Sequence, residues 1–382
     1  MKSLVLGLGF QGRAVIHDLS QSDLVDDIIG ADMDTASAEA FLKRGNYPKV
    51  RLQRINIAEN QNLADFIRKS GASITICMLP TFLAHPVAEA CITAGIPFVN
   101  TSYAHWVEDL DGLARKRGIT ILPEMGFDPG IDLILGRLAV ADFDEVHGLY
   151  SYGLGVPDMS AADNALKYKI TWTLEGVLNA YRRPARLLKD GQPVDIAGTE
   201  IFREENIHHI HIPGVGDMEA YANGDAIQFI DRFDLGPQLR DMGRFAARWP
   251  GHSAFWRVMA DMGFLEDEPM KFLIRHLTPR LQYRDDERDV AVLRIEAWGL
   301  KQGCRRRITY QVIDYRDLET GLFAMNRTVG FTASIAAQLV LSGEVNQSGV
   351  LSPIRDVPGK RVLEELQRRD IQVVKREEEL AS

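Results

Sequence analysis

The most restrictive feature of this sequence is a glycine motif that follows a short apolar run near its beginning. Residues 3–6 read Ser-Leu-Val-Leu, residues 7–12 read Gly-Leu-Gly-Phe-Gln-Gly, and a second apolar run ends at Asp32. A strand, a G-x-G-x-x-G turn, a helix and an acid about twenty residues later form the fingerprint of a dinucleotide-binding βαβ unit. Its glycines allow a tight turn, close backbone approach to a pyrophosphate and close packing of helix on strand. The pattern therefore predicts a redox enzyme.

Asp32 is expected to select the coenzyme. Its carboxylate can accept hydrogen bonds from the adenosine ribose and would repel a 2′-phosphate, and no arginine lies between Gly30 and Leu42. We therefore predict NAD as the coenzyme, with NADP less favoured and Asp34 as the alternative acid. The predicted cofactor-binding residues are Gly7, Gly9, Phe10, Gln11, Gly12, Asp32, Asn56, Leu79 and Pro80.

Charge and cysteine content narrow the class of protein. The 382 residues carry a formal net charge of −9 at pH 7, which argues against nucleic acid or an anionic membrane as the main partner. Cys77, Cys91 and Cys304 lack metal-ligand spacing, and no metal site is predicted. We see no signal peptide and no apolar run near the ~20 residues of a transmembrane helix. We expect a cytoplasmic protein with reduced thiols.

The order of the apolar segments predicts two kinds of sheet. Strand-like and helical segments alternate through the first third of the chain, which predicts a parallel sheet covered by helices. Longer strand-like stretches follow, which predict a mostly antiparallel α+β domain. The predicted fold class is therefore α/β, a Rossmann parallel sheet with an inserted α+β substrate domain of mostly antiparallel sheet.

The same segments give predicted domain boundaries. We predict a dinucleotide-binding domain at 1–125, a substrate and dimerisation domain at 126–324, and a C-terminal segment at 325–382 that returns to the Rossmann domain. An apolar helix candidate over 328–341, rich in small residues, suggests this return. The charged segment 375–380 is expected to fray.

Candidate catalytic side chains follow two strands of the predicted parallel sheet. Ligands of such sheets lie beyond the carboxyl ends of the strands, where Tyr103 follows one strand and the loop 124–130 (E-M-G-F-D-P-G) follows another. Asp128 in that loop could bind a substrate ammonium or transfer a proton, or it could cap the helix that starts near Pro129. The Tyr103 hydroxyl could contact the substrate or the nicotinamide amide, or the ring could be a half-buried aromatic.

Charged residues of the second domain are candidates for substrate contacts. Lys169 lies in a polar and aromatic segment, 163–172, and on a strand it would share a face with Lys167, opposite Tyr168. A lysine in a cleft can pair with a carboxylate or, when desolvated, act as a base, whereas the alternative is a solvated lysine pair. The arginine-rich run 182–186 could clamp carboxylates or form a solvated face.

Motifs along nearly the whole chain resemble those of the saccharopine dehydrogenase-like family, in its saccharopine reductase and lysine 6-dehydrogenase branch. The similar segments are the N-terminal G-x-G-x-x-G, Thr101-Ser102-Tyr103, Gly126-Phe127-Asp128-Pro129-Gly130, Asp163-Asn164, Tyr168-Lys169-Ile170-Thr171-Trp172, 219–225 (E-A-Y-A-N-G-D), 325–331 (M-N-R-T-V-G-F) and 349–353 (G-V-L-S-P). The resemblance implies hydride transfer between a nicotinamide and a carbon that bears nitrogen. It also implies lysine-derived or polyamine-precursor substrates and, commonly, a homodimer.

The resemblance also assigns residues to the site. It matches Tyr103 and Asp128 to substrate-side positions, and Asn223 and Asp225 to an N-x-D motif. Together with Lys169, Tyr103 and Asp128 are the predicted catalytic residues, and the choice of general base among them is left open. The predicted substrate-binding residues are Trp172, Arg186, Asn223, Asp225 and Arg248, with Arg186 or Arg248 holding the α-carboxylate.

The resulting prediction is an NAD(P)-dependent oxidoreductase that acts on the C–N bond of lysine or a lysine-derived amino acid. Both lysine 6-dehydrogenase and saccharopine dehydrogenase types remain, because residues 154–157 read Leu-Gly-Val-Pro where the family often has Gly-Gly-Leu-Pro. The alternatives are a carboxynorspermidine-type dehydrogenase and a non-catalytic NAD-binding sensor. An amino-acid substrate and a homodimer are expected, without nucleic acid or membrane partners.

Overall fold

The computed structural model describes residues 1–381, which form two compact units. Unit 1 contains residues 1–134 and 326–371, and unit 2 contains residues 135–325 and the residues from Gln372 onward. The sequence-based boundaries lay after residues 125 and 324, and they kept the whole C-terminal segment together.

A seven-stranded parallel sheet forms the centre of unit 1, as predicted. Its strands are β1 (Lys2–Leu6), β2 (Asp27–Asp32), β3 (Val50–Arg54), β4 (Ile74–Cys77), β5 (Phe98–Asn100), β6 (Thr120–Leu122) and β15 (Gly349–Val350), in the order β15-β6-β5-β4-β1-β2-β3. Its helices are α1 (Phe10–Ser20), α2 (Ala36–Leu42), α3 (Leu63–Ser70), α4 (Ala84–Ala94), α5 (Asp111–Arg117) and α11 (Gly359–Gln367). Helices α6 (Ile131–Val140) and α10 (Ala324–Leu341) contain two of the three points where the chain passes between the units, and the third follows Ile371.

The sheet forms because its strands are short apolar runs that can be buried on both faces. Every residue of β4 is buried, and the last four residues of β1 are too. Helices cover a parallel sheet on both faces, which is why such strands lack an alternating polar pattern. Since all seven strands run the same way, their carboxyl ends meet at one edge, which we call the carboxyl edge.

Helix α10 packs closely on α1 within unit 1. A Cβ atom added at Gly330 would lie 2.6 Å from Ala14 Cβ and 2.7 Å from the Gln11 carbonyl oxygen, so only glycine allows this approach. A buried polar contact lies further along, where Ser334 Oγ donates to Asp18 Oδ2 at 2.6 Å. No helix in residues 1–381 combines the length and apolar character needed to cross a membrane.

Asp18 also ties the C-terminal part of unit 1 to α1. The Arg369 guanidinium donates two hydrogen bonds to its carboxylate, from Nε to Oδ1 at 2.6 Å and from Nη2 to Oδ2 at 3.0 Å. An acid in the last turn of a helix is unfavourable to the helix dipole, and the bidentate guanidinium compensates for it. The network therefore holds the helix of the glycine motif at its far end.

Unit 2 is built on a nine-stranded, mostly antiparallel sheet, as predicted, in which only the strands Glu145–Pro157 and Asp241–Arg248 pair in parallel. Its strands are β7 (Glu145–Pro157), β8 (Ala185–Lys189), β9 (Gln192–Ile196), β10 (Ile207–Ile212), β11 (Gly216–Ala222), β12 (Asp241–Arg248), β13 (Asp289–Lys301), β14 (Cys304–Tyr315) and β16 (Val373–Glu379). The main order is β10-β11-β12-β7-β13-β14-β16, and the β8–β9 hairpin joins through β12. Its helices are α7 (Leu174–Ala180), α8 (His252–Asp261) and α9 (Asp267–Leu277).

The C-terminal segment was predicted to fray, and this is wrong. Residues 373–379 form β16, which pairs antiparallel with β14 at the edge of the sheet. Oppositely charged side chains face each other along the pair, with Arg306 opposite Glu379 and Arg307 opposite Glu378. The charges that suggested disorder in isolation are matched by a neighbouring strand.

The segment 167–172 is irregular and does not form the strand that was considered for it. Lys167 adopts a left-handed backbone with φ of 45° and is exposed, whereas Tyr168 and Lys169 are both buried. The two lysines therefore do not share a face.

Asp289 caps helix α10 from within unit 2. This first residue of β13 has no exposed surface, and its carboxylate accepts the N–H groups of Ala324 at 2.8 Å and Met325 at 3.3 Å. Burial is the main influence on this carboxyl and raises the pKa of Asp289 to about 7, despite the two donors.

Candidate active site

The glycine motif has the geometry of a dinucleotide-binding turn. Gly7 has φ of 92°, and a Cβ atom there would lie 2.7 Å from the Met78 carbonyl carbon. A Cβ atom at Gly12 would lie 1.9 Å from the Gly7 oxygen. At Gly9 an added Cβ would meet no atom within 4 Å, so the first turn of α1 has open space in front of it.

The start of α1 suits a negatively charged ligand. Gly9 precedes the helix without any side-chain cap, and the first turn contains no acidic residue. The first N–H groups of the helix and the positive end of its dipole are therefore available to a pyrophosphate. The loop thus fits a nicotinamide dinucleotide on steric and electrostatic grounds.

Asp32 lies beside this loop at the end of β2. Its Oδ2 accepts the Leu8 N–H at 2.6 Å, and its Oδ1 accepts the Asp34 N–H at 3.1 Å. Asp32 is directly opposite Arg54 in the β2–β3 pairing, and Arg54 Nε donates to the Met33 carbonyl at 2.9 Å. The exposed guanidinium of Arg54 therefore belongs to the strand next to Asp32. Arg54 lies outside residues 30–42, the range from which we concluded that no arginine is near Asp32.

The other predicted coenzyme residues follow strands of the same sheet. Asn56 comes after β3 and accepts the Ala58 N–H at 3.1 Å, while Leu79 and Pro80 come after β4. Strands β4, β1, β2 and β3 are consecutive neighbours, so these residues and the glycine motif belong to one stretch of the carboxyl edge.

Tyr103 and Asp128 meet at the same edge of unit 1. The Tyr103 hydroxyl lies 3.4 Å from Asp128 Oδ1, and both side chains are half-buried. They follow the adjacent strands β5 and β6, which explains how residues 25 positions apart in sequence come together. The structure thus brings together two of the three predicted catalytic residues.

A compact turn holds Asp128. The Gly126 N–H donates to the Pro129 carbonyl at 3.0 Å, and the Gly130 N–H donates to Asp132 Oδ1 at 2.7 Å. A Cβ atom at Gly130 would lie 2.0 Å from the Gly126 oxygen, so this turn requires glycine. Asp132 therefore accepts a backbone N–H beside the start of α6.

Lys169, the third predicted catalytic residue, is held in a buried ion pair of unit 2. Its Nζ lies 2.6 Å from Glu287 Oε1 and 2.8 Å from Asp163 Oδ1, and only 3% of the residue is exposed. Hydrogen bonds from Lys169 and Arg284 lower the pKa of Asp163 to about 2. An ammonium shared by two carboxylates and shielded from solvent gives no support to the predicted role in proton transfer.

Three of the predicted substrate-binding residues lie together in unit 2. The Arg186 N–H donates to the Gly224 carbonyl at 3.1 Å, so the β8 strand runs beside Asn223 and Asp225 of the N-x-D motif. Arg183 joins this group, because its Nη2 donates to Asn223 Oδ1 at 3.0 Å. We call Arg183, Arg186, Asn223 and Asp225 the arginine cluster.

The other two predicted substrate-binding residues lie in different surroundings. Arg248 is only 9% exposed, its Nη1 donates to the Ala247 carbonyl at 2.8 Å, and its guanidinium lies 5.6 Å from the centre of the Tyr168 ring. This burial among aromatic groups does not support the predicted carboxylate contact within unit 2. Trp172 is 39% exposed beside the first turn of α7.

A metal centre is not part of this geometry. No group of three or more His, Cys, Asp or Glu side chains suited to holding a metal ion occurs within residues 1–381.

Comparison with known proteins places this geometry in a family. Residues 3–122 match the family model described as "Saccharopine dehydrogenase NADP binding domain", and residues 126–371 match "Saccharopine dehydrogenase C-terminal domain". The chain belongs to the saccharopine dehydrogenase family. This confirms the predicted family and the nicotinamide-dinucleotide-binding type of its N-terminal domain.

Relatives at the sequence level are distant but extend over most of the chain. The saccharopine dehydrogenase (NADP(+), L-glutamate-forming) of Pyricularia oryzae is 25% identical, over 95% of this chain and 96% of its own length. The mitochondrial alpha-aminoadipic semialdehyde synthase of Bos taurus is also 25% identical, over 92% of this chain but only 45% of that protein. The chain therefore spans less than half of the synthase.

A solved structure confirms the fold. The apo histidine-tagged saccharopine dehydrogenase (L-Glu forming) from Saccharomyces cerevisiae superposes with a TM-score of 0.86 at 23% identity, covering 100% of both chains. The predicted α/β class with a Rossmann sheet and a second, mostly antiparallel sheet is thus shared with a known structure.

Proposed function

We propose that this protein is an NADP-dependent saccharopine dehydrogenase that oxidises the secondary amine of saccharopine and releases L-glutamate. The observation that carries the proposal is the Tyr103–Asp128 pair, 3.4 Å apart at the carboxyl edge that also carries the glycine motif. Similarity to a glutamate-forming saccharopine dehydrogenase along 96% of that enzyme's length supports the same reaction here.

The reaction needs a group that moves protons at the substrate nitrogen. A protonated secondary amine must lose a proton before its lone pair can assist departure of a hydride from the neighbouring carbon. Bound nicotinamide supplies the hydride acceptor. Water then adds to the resulting C=N bond, and cleavage of the C–N bond releases L-glutamate and alpha-aminoadipic semialdehyde. Asp128 and Tyr103 are the proposed carriers of these protons, because a carboxylate and a phenol in contact can exchange one.

The arginine cluster is proposed to bind substrate carboxylates. Arg183 and Arg186 are both exposed, and the side chain of Asn223 fixes the guanidinium of Arg183. Planar guanidinium groups bind carboxylates with paired hydrogen bonds, and saccharopine carries more carboxylates than lysine. The Arg186 Nε also pairs with Asp195 Oδ1 at 3.2 Å, on the adjacent strand. A cluster of two exposed arginines, one of them oriented by Asn223, therefore favours saccharopine over lysine as the substrate.

NADP is the proposed coenzyme, in place of the NAD that Asp32 suggested. Arg54, directly opposite Asp32, uses one N–H on the Met33 carbonyl and retains further donors for a 2′-phosphate. Both carboxylate oxygens of Asp32 already accept backbone N–H groups, which disperses its charge. The match of residues 3–122 to an NADP binding domain points the same way.

A carboxynorspermidine-type activity is the second candidate. The carboxynorspermidine synthase of Vibrio alginolyticus is 21% identical over 71% of this chain and 68% of its own length. That weaker and shorter match favours it less than saccharopine oxidation.

The proposal is tested by following the absorbance of reduced nicotinamide with purified protein. We expect turnover with saccharopine and NADP, with one L-glutamate released per NADPH formed, and a lower kcat/KM with NAD. L-Lysine and carboxynorspermidine are expected to give no turnover under the same conditions. Turnover with lysine alone would establish a lysine 6-dehydrogenase instead, and tight coenzyme binding without turnover of any of these compounds would favour the sensor.

A further inference from the structure

We propose that Glu124 is a positioning residue that holds the Tyr103 side chain against Asp128. The inference rests on the proposed function, because it assigns Glu124 a role only through the Tyr103–Asp128 pair. Glu124 follows β6, in the loop that carries Asp128, and nothing in its sequence position alone distinguishes it from a turn residue.

Glu124 binds the peptide groups on both sides of Tyr103. Its backbone N–H donates to the Ser102 carbonyl at 3.0 Å, and its side-chain Oε1 accepts the Ala104 N–H at 3.2 Å. The Tyr103 backbone is therefore fixed at its preceding and following residues by one and the same glutamate. The direction of the Tyr103 Cα–Cβ bond depends on those two peptide planes.

The same two segments also contact each other through residues that precede Ser102 and residues that follow Glu124. The Met125 N–H donates to the Asn100 carbonyl at 2.9 Å, and a Cβ atom added at Gly126 would lie 3.1 Å from Thr101 Cβ. The loop after β5 and the loop after β6 thus remain in close contact beyond the ends of their strands. Glu124 contributes both its backbone and its side chain to this contact.

The conformation of Glu124 is costly, which argues for a specific use of this residue. Its φ is 61°, in the left-handed region that glycine and asparagine adopt most readily, and its carboxylate side chain has no exposed surface. Backbone strain and a buried acid persist where the surrounding structure requires them, and such positions concentrate at functional sites. A glycine would relieve the strain but would lose the contact with Ala104.

A purely structural role for Glu124 makes a different prediction. Loss of a structural contact would lower stability and would reduce activity by the same factor whatever residue occupies position 103. Loss of a positioning contact reduces activity only while the tyrosine hydroxyl is present. A double-mutant cycle between Glu124 and Tyr103 separates the two roles.

The cycle uses Glu124→Ala, Glu124→Gln, Tyr103→Phe and the double variant Glu124→Ala/Tyr103→Phe, assayed with saccharopine and NADP. We expect Glu124→Ala to lower kcat by about 10- to 100-fold, as for other small displacements of a catalytic group. In the Tyr103→Phe background the same change should lower kcat by less than about 3-fold. Glu124→Gln should stay within about 3-fold of the parent, because its amide oxygen can still accept the Ala104 N–H.

Two outcomes of the cycle would overturn the proposal. One is an equal loss from Glu124→Ala in both backgrounds, which would make the role structural. The other is an equally low kcat in Glu124→Gln and Glu124→Ala. That result would show that the lower kcat does not come from loss of the hydrogen bond to the Ala104 N–H. Glu108→Ala is the matched control, because Glu108 is an exposed glutamate close to the same loop and should leave kcat unchanged.

Amide hydrogen exchange gives a readout that does not depend on the substrate. In the full-length protein, residues 102–106 should exchange faster in Glu124→Ala than in the parent, Glu124→Gln or Glu108→Ala. Unchanged exchange in Glu124→Ala would overturn the positioning role by itself. If the parent protein does not turn over saccharopine but residues 102–106 still exchange faster in Glu124→Ala, the proposed function is rejected and the loop contact is supported.

Discussion

The contact between Tyr103 and Asp128 is where a change of one atom should have the largest effect. Asp128→Asn removes the carboxylate while keeping its size, and Tyr103→Phe removes only the hydroxyl that lies 3.4 Å from it. We expect each substitution to lower kcat by about 10²- to 10⁴-fold, the usual range for loss of a general acid or base, with coenzyme affinity nearly unchanged.

Steady-state kinetics and coenzyme titration measure these two effects separately. Asp23→Asn, an exposed aspartate of unit 1, is the control and should behave as the parent. Full turnover by Asp128→Asn would remove Asp128 from the reaction.

Coenzyme choice is a second property that we expect to depend on one side chain. Arg54→Gln should raise the KM for NADP by about 10-fold or more and leave the KM for NAD unchanged, because a charge-assisted hydrogen bond to a phosphate contributes about 1.5–3 kcal/mol. Arg51→Gln, on the same strand and paired with Asp27, is the control. An unchanged ratio of the two KM values in Arg54→Gln would show that the phosphate is bound elsewhere.

Residue positions were predictable where one strand end determined them. Tyr103, Asp128 and the glycine motif could be placed at one edge because parallel strands end together. The surroundings of Lys169 could not be predicted, since its partner Glu287 is 118 residues away in sequence and no local pattern reveals the pair. The burial of Arg248 could not be predicted either, because the aromatic ring beside it belongs to Tyr168.

At the scale of elements, the packing of α10 on α1 makes a testable demand on Gly330. Gly330→Ala places a methyl group 2.6 Å from Ala14 Cβ, so we expect a loss of about 1–3 kcal/mol in the free energy of unfolding. Displacement of α1 should also weaken coenzyme binding. Gly112→Ala is the matched control, because an added Cβ there meets no atom within 4 Å in helix α5 and should stabilise by about 0.5–1 kcal/mol.

Denaturation curves and coenzyme titrations of both variants check this prediction. Equal stability of Gly330→Ala and the parent would mean that the two helices can separate without cost.

The cap that Asp289 provides for α10 should make stability depend on pH. Burial raises its pKa from 3.8 to about 7, so between these values the folded protein holds a proton that the unfolded chain has lost. Stability from this group is therefore complete below about pH 4 and is lost as the pH rises to about 7, by at most about 4 kcal/mol.

Urea denaturation of the parent and of Asp289→Asn across this pH range checks the slope. We expect the free energy of unfolding of the parent to fall more steeply with pH than that of Asp289→Asn, which cannot ionise. Parallel curves would show that Asp289 is ionised throughout.

Elements were predictable from sequence when their apolar pattern was self-sufficient. The first six parallel strands and helix α10 have such patterns and were found, although α10 begins at Ala324 rather than near residue 328. The two-residue strand β15 was not predicted, because it is too short to show a pattern. Strand β16 could not be found this way, because its exposed charges are matched only by arginines of β14. The irregular segment 167–172 is held by the Lys169–Glu287 ion pair and by hydrogen bonds between the Tyr168 backbone and the Asn164 side chain, so a strand pattern was misleading there.

At the scale of the whole molecule, the property to be measured is the number of subunits that associate. The resemblance implies a homodimer, and we keep this as a prediction. Light scattering of the purified protein should give a mass of twice 42.7 kDa, independent of coenzyme. A monomer mass at micromolar concentration would contradict it.

The order of the chain in the two units has a consequence for its synthesis. The sheet of unit 1 receives β15 only after all of residues 135–325 have been made, and the sheet of unit 2 receives β16 only after residues 326–371. A ribosome that has translated residues 1–325 has therefore completed neither sheet. Until residues 373–379 emerge, the open side of β14 is a bare edge with which other nascent chains can pair, and we expect chaperones to bind the chain at that stage of translation.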